Sequence, residues 1–90
     1  MRWVAREGEE ERVASLLRRL VPLARAEPGC LQYDVHRQAD DPRVFVLWER
    51  YADGAALEEH TNAPYVQDLL FGQALPLLED RVRTYLDPLE

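Results

Sequence analysis

The sequence has no lysine, a single cysteine and only two histidines, and each shortage closes a route. All eleven basic residues are arginine, scattered along the chain against seventeen acidic residues, and the net charge is -6. A nucleic-acid backbone or an anionic membrane surface demands a positive footprint, so neither is expected as a partner. Cys30 stands alone and cannot form an internal disulfide. His36 and His60 are not at ligand spacing, which argues against a structural zinc site. No apolar run approaches the ~20 residues that a bilayer span requires. Met1-Arg2-Trp3-Val4 carries no signal-peptide core, and together with the free thiol this predicts a cytoplasmic setting. There is no G-x-G-x-x-G, P-loop or Cys-x-x-Cys, so no motif calls for a nucleotide, metal or redox cofactor.

Ninety residues make one domain, 1–90. A chain of this size buries only about 60–65% of its unfolded surface, so its stability margin is thin. With disulfide and metal set aside, a partner subunit is the remaining support.

Turn residues at Gly8, Pro28-Gly29, Asp40-Asp41-Pro42, Asp53-Gly54, Asn62-Ala63-Pro64 and Pro76 divide the chain into short elements. Residues 2–6 read as a brief strand. From Glu9 the period becomes helical: Val13, Leu16, Leu17, Leu20 and Ala24 form one apolar stripe. The acidic run Glu9-Glu10-Glu11 suits the helix start and the later arginines suit its end. An interior proline costs roughly 3 kcal/mol, so Pro22 predicts a kink or an early stop. Residues 30–37 alternate, with Leu31, Tyr33 and Val35 on one face and Cys30, Gln32, Asp34 and His36 on the other. Residues 44–51 alternate as well, with Phe45, Leu47, Glu49 and Tyr51 opposite Val44, Val46, Trp48 and Arg50. The turn at 40–42 joins the two strands as an antiparallel hairpin. Asp53 is placed to cap a short helix reaching about His60. Asn62 is placed to cap a second helix, with Pro64 in its first turn and Val66, Leu69 and Leu70 on its apolar side. Residues 80–86 read as the last strand.

The order β-α-β-β-α-β is the split βαβ of an α+β, ferredoxin-like antiparallel sheet with its helices on one face. The third strand is nevertheless apolar on both faces. Val46 and Trp48 need cover that the helices cannot give, and the same face of a second copy supplies it. A homodimer through the sheet face is therefore expected, with Trp48 in its core.

Three segments carry a resemblance. Glu27-Pro28-Gly29-Cys30-Leu31-Gln32-Tyr33-Asp34-Val35 follows an E-x-G-C-x-x-Y pattern leading into the second strand. Phe45-Val46-Leu47-Trp48-Glu49-Arg50-Tyr51-Ala52-Asp53 follows F-x-x-x-E-x-[WY]-x-D, and Ala56-Leu57-Glu58-Glu59-His60 follows A-L-x-x-H. In this order and spacing the chain resembles the antibiotic biosynthesis monooxygenase family over nearly its whole length. The resemblance implies a dimeric α+β barrel with a pocket in each subunit between sheet and helices. It implies oxidation of a small phenolic, quinol or anthrone-like aromatic substrate by molecular oxygen without metal or flavin. Two departures stand out. Tyr65 occupies the place where relatives often carry a second histidine, and no histidine lies near Val66–Leu70, where haem-degrading relatives need one. Residues 1–7 also lack the asparagine that some relatives contribute to the pocket.

On this reading His60, the one histidine of the helical segment, takes a phenolic proton. Glu49, a carboxylate among apolar neighbours, orients it. Tyr33, Tyr51, Tyr65 and Asn62 hold the substrate. The plain alternatives are a Glu49 that caps a helix or pairs with arginine, a His60 that only ends a helix, and tyrosines that are simply core. Cys30 is expected to be an inert buried thiol and His36 to be solvated. Two other functions fit the same pocket. One is isomerisation of a small phosphorylated sugar, which needs arginines converging on the cavity; the other is a non-catalytic ligand-binding dimer.

Overall fold

The computed structural model describes residues 1–89. Strand β1 (Arg2–Ala5) leads through Gly8, whose φ of +86° suits glycine, into helix α1 (Glu10–Arg25). Strands β2 (Cys30–Arg37) and β3 (Val44–Tyr51) follow as an antiparallel hairpin. Helix α2 (Gly54–Asn62) comes next, capped by the Asp53 carboxylate, which accepts the Ala56 N–H at 2.8 Å. Helix α3 (Pro64–Val66) widens into π-helical winding over Gln67–Ala74, and a 3-10 turn (Leu75–Leu77) leads into strand β4 (Leu78–Val82).

The sheet runs β2-β3-β1-β4 with all neighbours antiparallel, the ferredoxin-like order. One face carries the core. Trp3 and Ala5 of β1, Tyr33 of β2 and Phe45 and Leu47 of β3 pack under the α1 stripe of Val13, Leu17, Leu20 and Ala24. Val66, Leu69 and Leu70 close the layer from the other helical segment. On the opposite face Trp48 is 51% exposed and Val82 48%, beside half-buried Val46.

Several expectations are corrected. Helix α1 does not stop at Pro22 but continues to Arg25, and the Ala26 N–H bonds back to the Pro22 carbonyl at 3.2 Å. Pro22 itself is exposed, so the donor it lacks is missing on a solvent-facing turn. The last strand covers 78–82 instead of 80–86, because the 3-10 turn ends at Leu77 and β4 pairs with β1 only from Leu78 to Val82. Asn62 does not cap a helix: it is the exposed last residue of α2, and Ala63 stands at the α3 start with no side-chain cap. The alternation of β2 breaks at its first residues. Cys30 pairs with Tyr51 while Gln32 pairs with Arg50, leaving Leu31 as an extra residue in a β-bulge. The bulge brings Cys30 onto the helix-facing side with Tyr33 and Tyr51, and Leu31 is left 57% exposed.

Candidate active site

Four elements meet at one end of the helix-facing side of the sheet. Tyr33 and Glu49 are directly paired across β2 and β3, and Cys30 and Tyr51 form the next pair along. Helix α2 lays His60 over them, with ring centroids 5.7 Å from Tyr33 and 5.2 Å from Tyr51. Pro64 starts α3 so that Tyr65, just after it, meets the same imidazole edge-on at 6.2 Å. Glu27 arrives from the turn after α1, where its N–H bonds the Ala24 carbonyl and its own carbonyl accepts the Cys30 N–H.

The polar atoms form a row. Tyr51 donates its hydroxyl to Glu49 Oε1 at 2.8 Å. Glu49 Oε1 lies 4.0 Å from His60 Nε2, too far for a direct hydrogen bond. On the other side of the ring, His60 Nδ1 is 2.5 Å from Glu27 Oε2, and the same oxygen accepts the Tyr65 hydroxyl. Against an ionised Glu27, which can only accept, Nδ1 is the donor of this bond and Nε2 is left with the lone pair. That is the logic by which a buried carboxylate fixes the tautomer of a catalytic histidine. His60 is 4% exposed, and no arginine pairs with Glu49 among the described residues.

The tyrosines are held as phenols. Burial first, and then the Glu49 carboxylate, push the pKa values of Tyr33 and Tyr51 well above the ordinary range. Burial and the bond to Glu27 do the same for Tyr65. The Cys30 thiol is also raised, chiefly by burial, which keeps it protonated rather than nucleophilic. The hydroxyl of Tyr33, a residue 1% exposed, has no hydrogen-bond partner among the described residues.

Of the residues singled out from the sequence, His60, Glu49, Tyr33, Tyr51 and Tyr65 come together, and Asn62 does not join them. Glu27 was missed as a site residue. It lies outside every periodic element, and its one sequence signal was its place at the head of the E-x-G-C pattern. His36 is exposed. Among the described residues no group of three or more His, Cys, Asp or Glu side chains is arranged to hold a metal ion. No helix of the described chain is long and apolar enough to cross a membrane. A groove of about 350 Å³ lies between α1 and β2, farther along the same face. Arg18, Arg25 and Arg37 line it, and neither His60 nor any of the glutamates does.

Comparison with known proteins gives the lineage. The candidate monooxygenase Rv0793 of Mycobacterium tuberculosis is 36% identical over 64 residues, 71% of this chain and 62% of that protein. An uncharacterised Synechocystis protein, sll1783, is 26% identical over 69% of this chain and 42% of its own length. The chain thus matches less than two thirds of either relative. The solved structure of Rv0793 superposes with a TM-score of 0.89 over 99% of this chain and 90% of that one, at 34% identity. PA3566 from Pseudomonas aeruginosa superposes at 0.80, with 39% identity over 88% of this chain and 79% of its own. The family model for antibiotic biosynthesis monooxygenases matches residues 1–70, a stretch that holds Glu27, Glu49, His60 and Tyr65, and the chain belongs to that family.

Proposed function

We propose that this chain is a monooxygenase that ionises a small phenolic, quinol or anthrone-like compound and lets the resulting anion react with O2 directly. The observation that carries this reading is the His60 imidazole, held with Nδ1 2.5 Å from Glu27 among three tyrosines, an arrangement that leaves Nε2 as the nitrogen to accept a proton. An electron-rich phenolate can pass an electron to oxygen without a metal or flavin. For an anthrone, the ring methylene becomes a carbonyl holding one atom of O2, and the other atom leaves as water. The protein's part is deprotonation, orientation and exclusion of solvent. His60 is the base. Glu27 orients it, and Glu49, 4.0 Å from Nε2, stabilises the imidazolium once formed. Tyr33, Tyr51 and Tyr65 stay protonated and supply ring contacts; the Tyr51 and Tyr65 hydroxyls are given to Glu49 and Glu27, so of the three only Tyr33 has its donor free for the substrate. Family membership and the candidate monooxygenase among the relatives support the same class of reaction. The working unit is a homodimer in which the Val46–Trp48 face packs on its copy.

The test is oxygen uptake by metal-stripped protein with menadiol and a dihydroxyanthracene-type substrate. Uptake above autoxidation is expected, falling by about 10²–10⁴-fold in His60→Ala, the usual worth of a general base. No uptake from folded protein that still binds these compounds would replace the enzyme reading with a non-catalytic binding dimer.

A further inference from the structure

We propose that the groove between α1 and the edge strand β2 is a binding site for a small amphipathic anion, an apolar chain or ring ending in a carboxylate or phosphate. The inference does not rest on the monooxygenase reading. The groove's volume of about 350 Å³ falls within the range of small-molecule sites, about 300–1,000 Å³. Its floor is apolar: Leu17 and Val21 from the helix face Val35 and Phe45 from the sheet. Its rim is cationic, with Arg18, Arg25 and Arg37. In a chain with seventeen acidic residues against eleven arginines, no residue lining this groove is acidic. Arg25 and Arg37 are paired with Asp34 and Glu11, which do not line the groove, so among the described residues its unpaired positive charge is that of Arg18, and an anion with an apolar body is what such a groove would select.

Two of the guanidiniums are already held in place. Arg25 donates Nε to the Tyr33 carbonyl at 3.0 Å and a terminal nitrogen to Asp34 at 2.9 Å. Arg37 stacks its guanidinium over the Phe45 ring at 4.9 Å and pairs with Glu11 at 3.3 Å. Each guanidinium has five N–H donors, so both retain donors for a ligand. Arg18 makes no ion pair among the described residues and is the uncommitted cation of the three. Pro22, also on the groove wall, has no N–H to give to the Arg18 carbonyl one turn earlier. The arginine fork supplies charge-assisted, bidentate recognition of the anionic head, and the floor takes the apolar body.

The probes are octanoate, octyl phosphate and neutral octanol, titrated into the full chain and followed by amide chemical shifts. Both anions are expected to shift Leu17, Val21, Val35 and Phe45, and to bind at least tenfold more tightly than octanol. Arg18→Gln, at an exposed position, should weaken the anions about tenfold, close to 1.4 kcal/mol, and leave octanol unchanged. Octanol binding as tightly as the anions, shifts confined to other regions, or an Arg18→Gln chain that binds the anions undiminished would each overturn the proposal. His60→Ala should leave all three affinities unchanged, so failure of the oxygenase reading and failure of this one are read out separately.

Discussion

A buried hydroxyl without a partner costs about 1–3 kcal/mol. Tyr33 carries one beside His60, on a residue that is otherwise core. Tyr33→Phe removes the orphan donor without leaving a cavity. We expect thermal stability to hold or to rise by up to about 1 kcal/mol, while kcat/KM falls roughly tenfold if the hydroxyl meets substrate. Loss of stability in a melting curve would show that the hydroxyl is satisfied after all. The three site tyrosines also make the fold sensitive to alkali. Burial favours their neutral form in the folded state, so the stability tied to it is complete below about pH 10, where a free phenol titrates, and is lost as the pH rises further. Phenolate absorbance of Tyr33, Tyr51 and Tyr65 should therefore appear together with loss of far-UV ellipticity. Ionisation of these residues well before unfolding would contradict their burial.

Gly29 shows how an element is placed to serve the site. A Cβ there would lie 2.5 Å from the Ala56 side chain, so the start of β2 and helix α2 approach as closely as they do only because residue 29 is glycine. Gly29→Ala should force the His60 helix away from Glu27, costing about 1–3 kcal/mol in denaturant unfolding and more in activity than in stability. Pro22→Ala works in the opposite direction. It restores a helical donor while giving back some unfolded-chain freedom, and a net gain of about 2 kcal/mol is expected from the same measurement. The elements themselves were largely legible. The α1 stripe from Val13 to Ala24 and the alternation of Phe45 to Tyr51 repeat over enough residues for the period to be unmistakable. What was not legible depends on single residues or on contacts between distant ones. One inserted residue, Leu31, turns Cys30 to the other face without disturbing the residues after it. The Glu27 carboxylate finds His60 across thirty-three positions from a turn with no period at all. The π winding of Gln67–Ala74 keeps Leu69 and Leu70 buried much as an ordinary helix would, so their spacing conceals it.

At the scale of the molecule, the open sheet face is the main apolar surface without cover among the described residues. Trp48 is half exposed beside Val46 and Val82, on a chain too small to leave such area to water without loss. We expect a solution mass of twice the 10.5 kDa of one chain. Trp48→Glu should yield folded monomer, since this side chain is outside the subunit's own core; an unchanged mass would place the interface elsewhere. The bulge at Leu31 has a consequence for how the chain can vary in length. Cys30 and Gln32 already oppose adjacent residues of β3, Tyr51 and Arg50. Deleting Leu31 would thus close the strand into regular pairing, with Tyr33 still beneath His60 and the hairpin turn unmoved. Deleting a residue between Tyr33 and Arg37 instead reverses the faces on one side of the gap. Position 31 is where evolution or a designer can shorten this strand by one codon and keep the reading frame of the sheet.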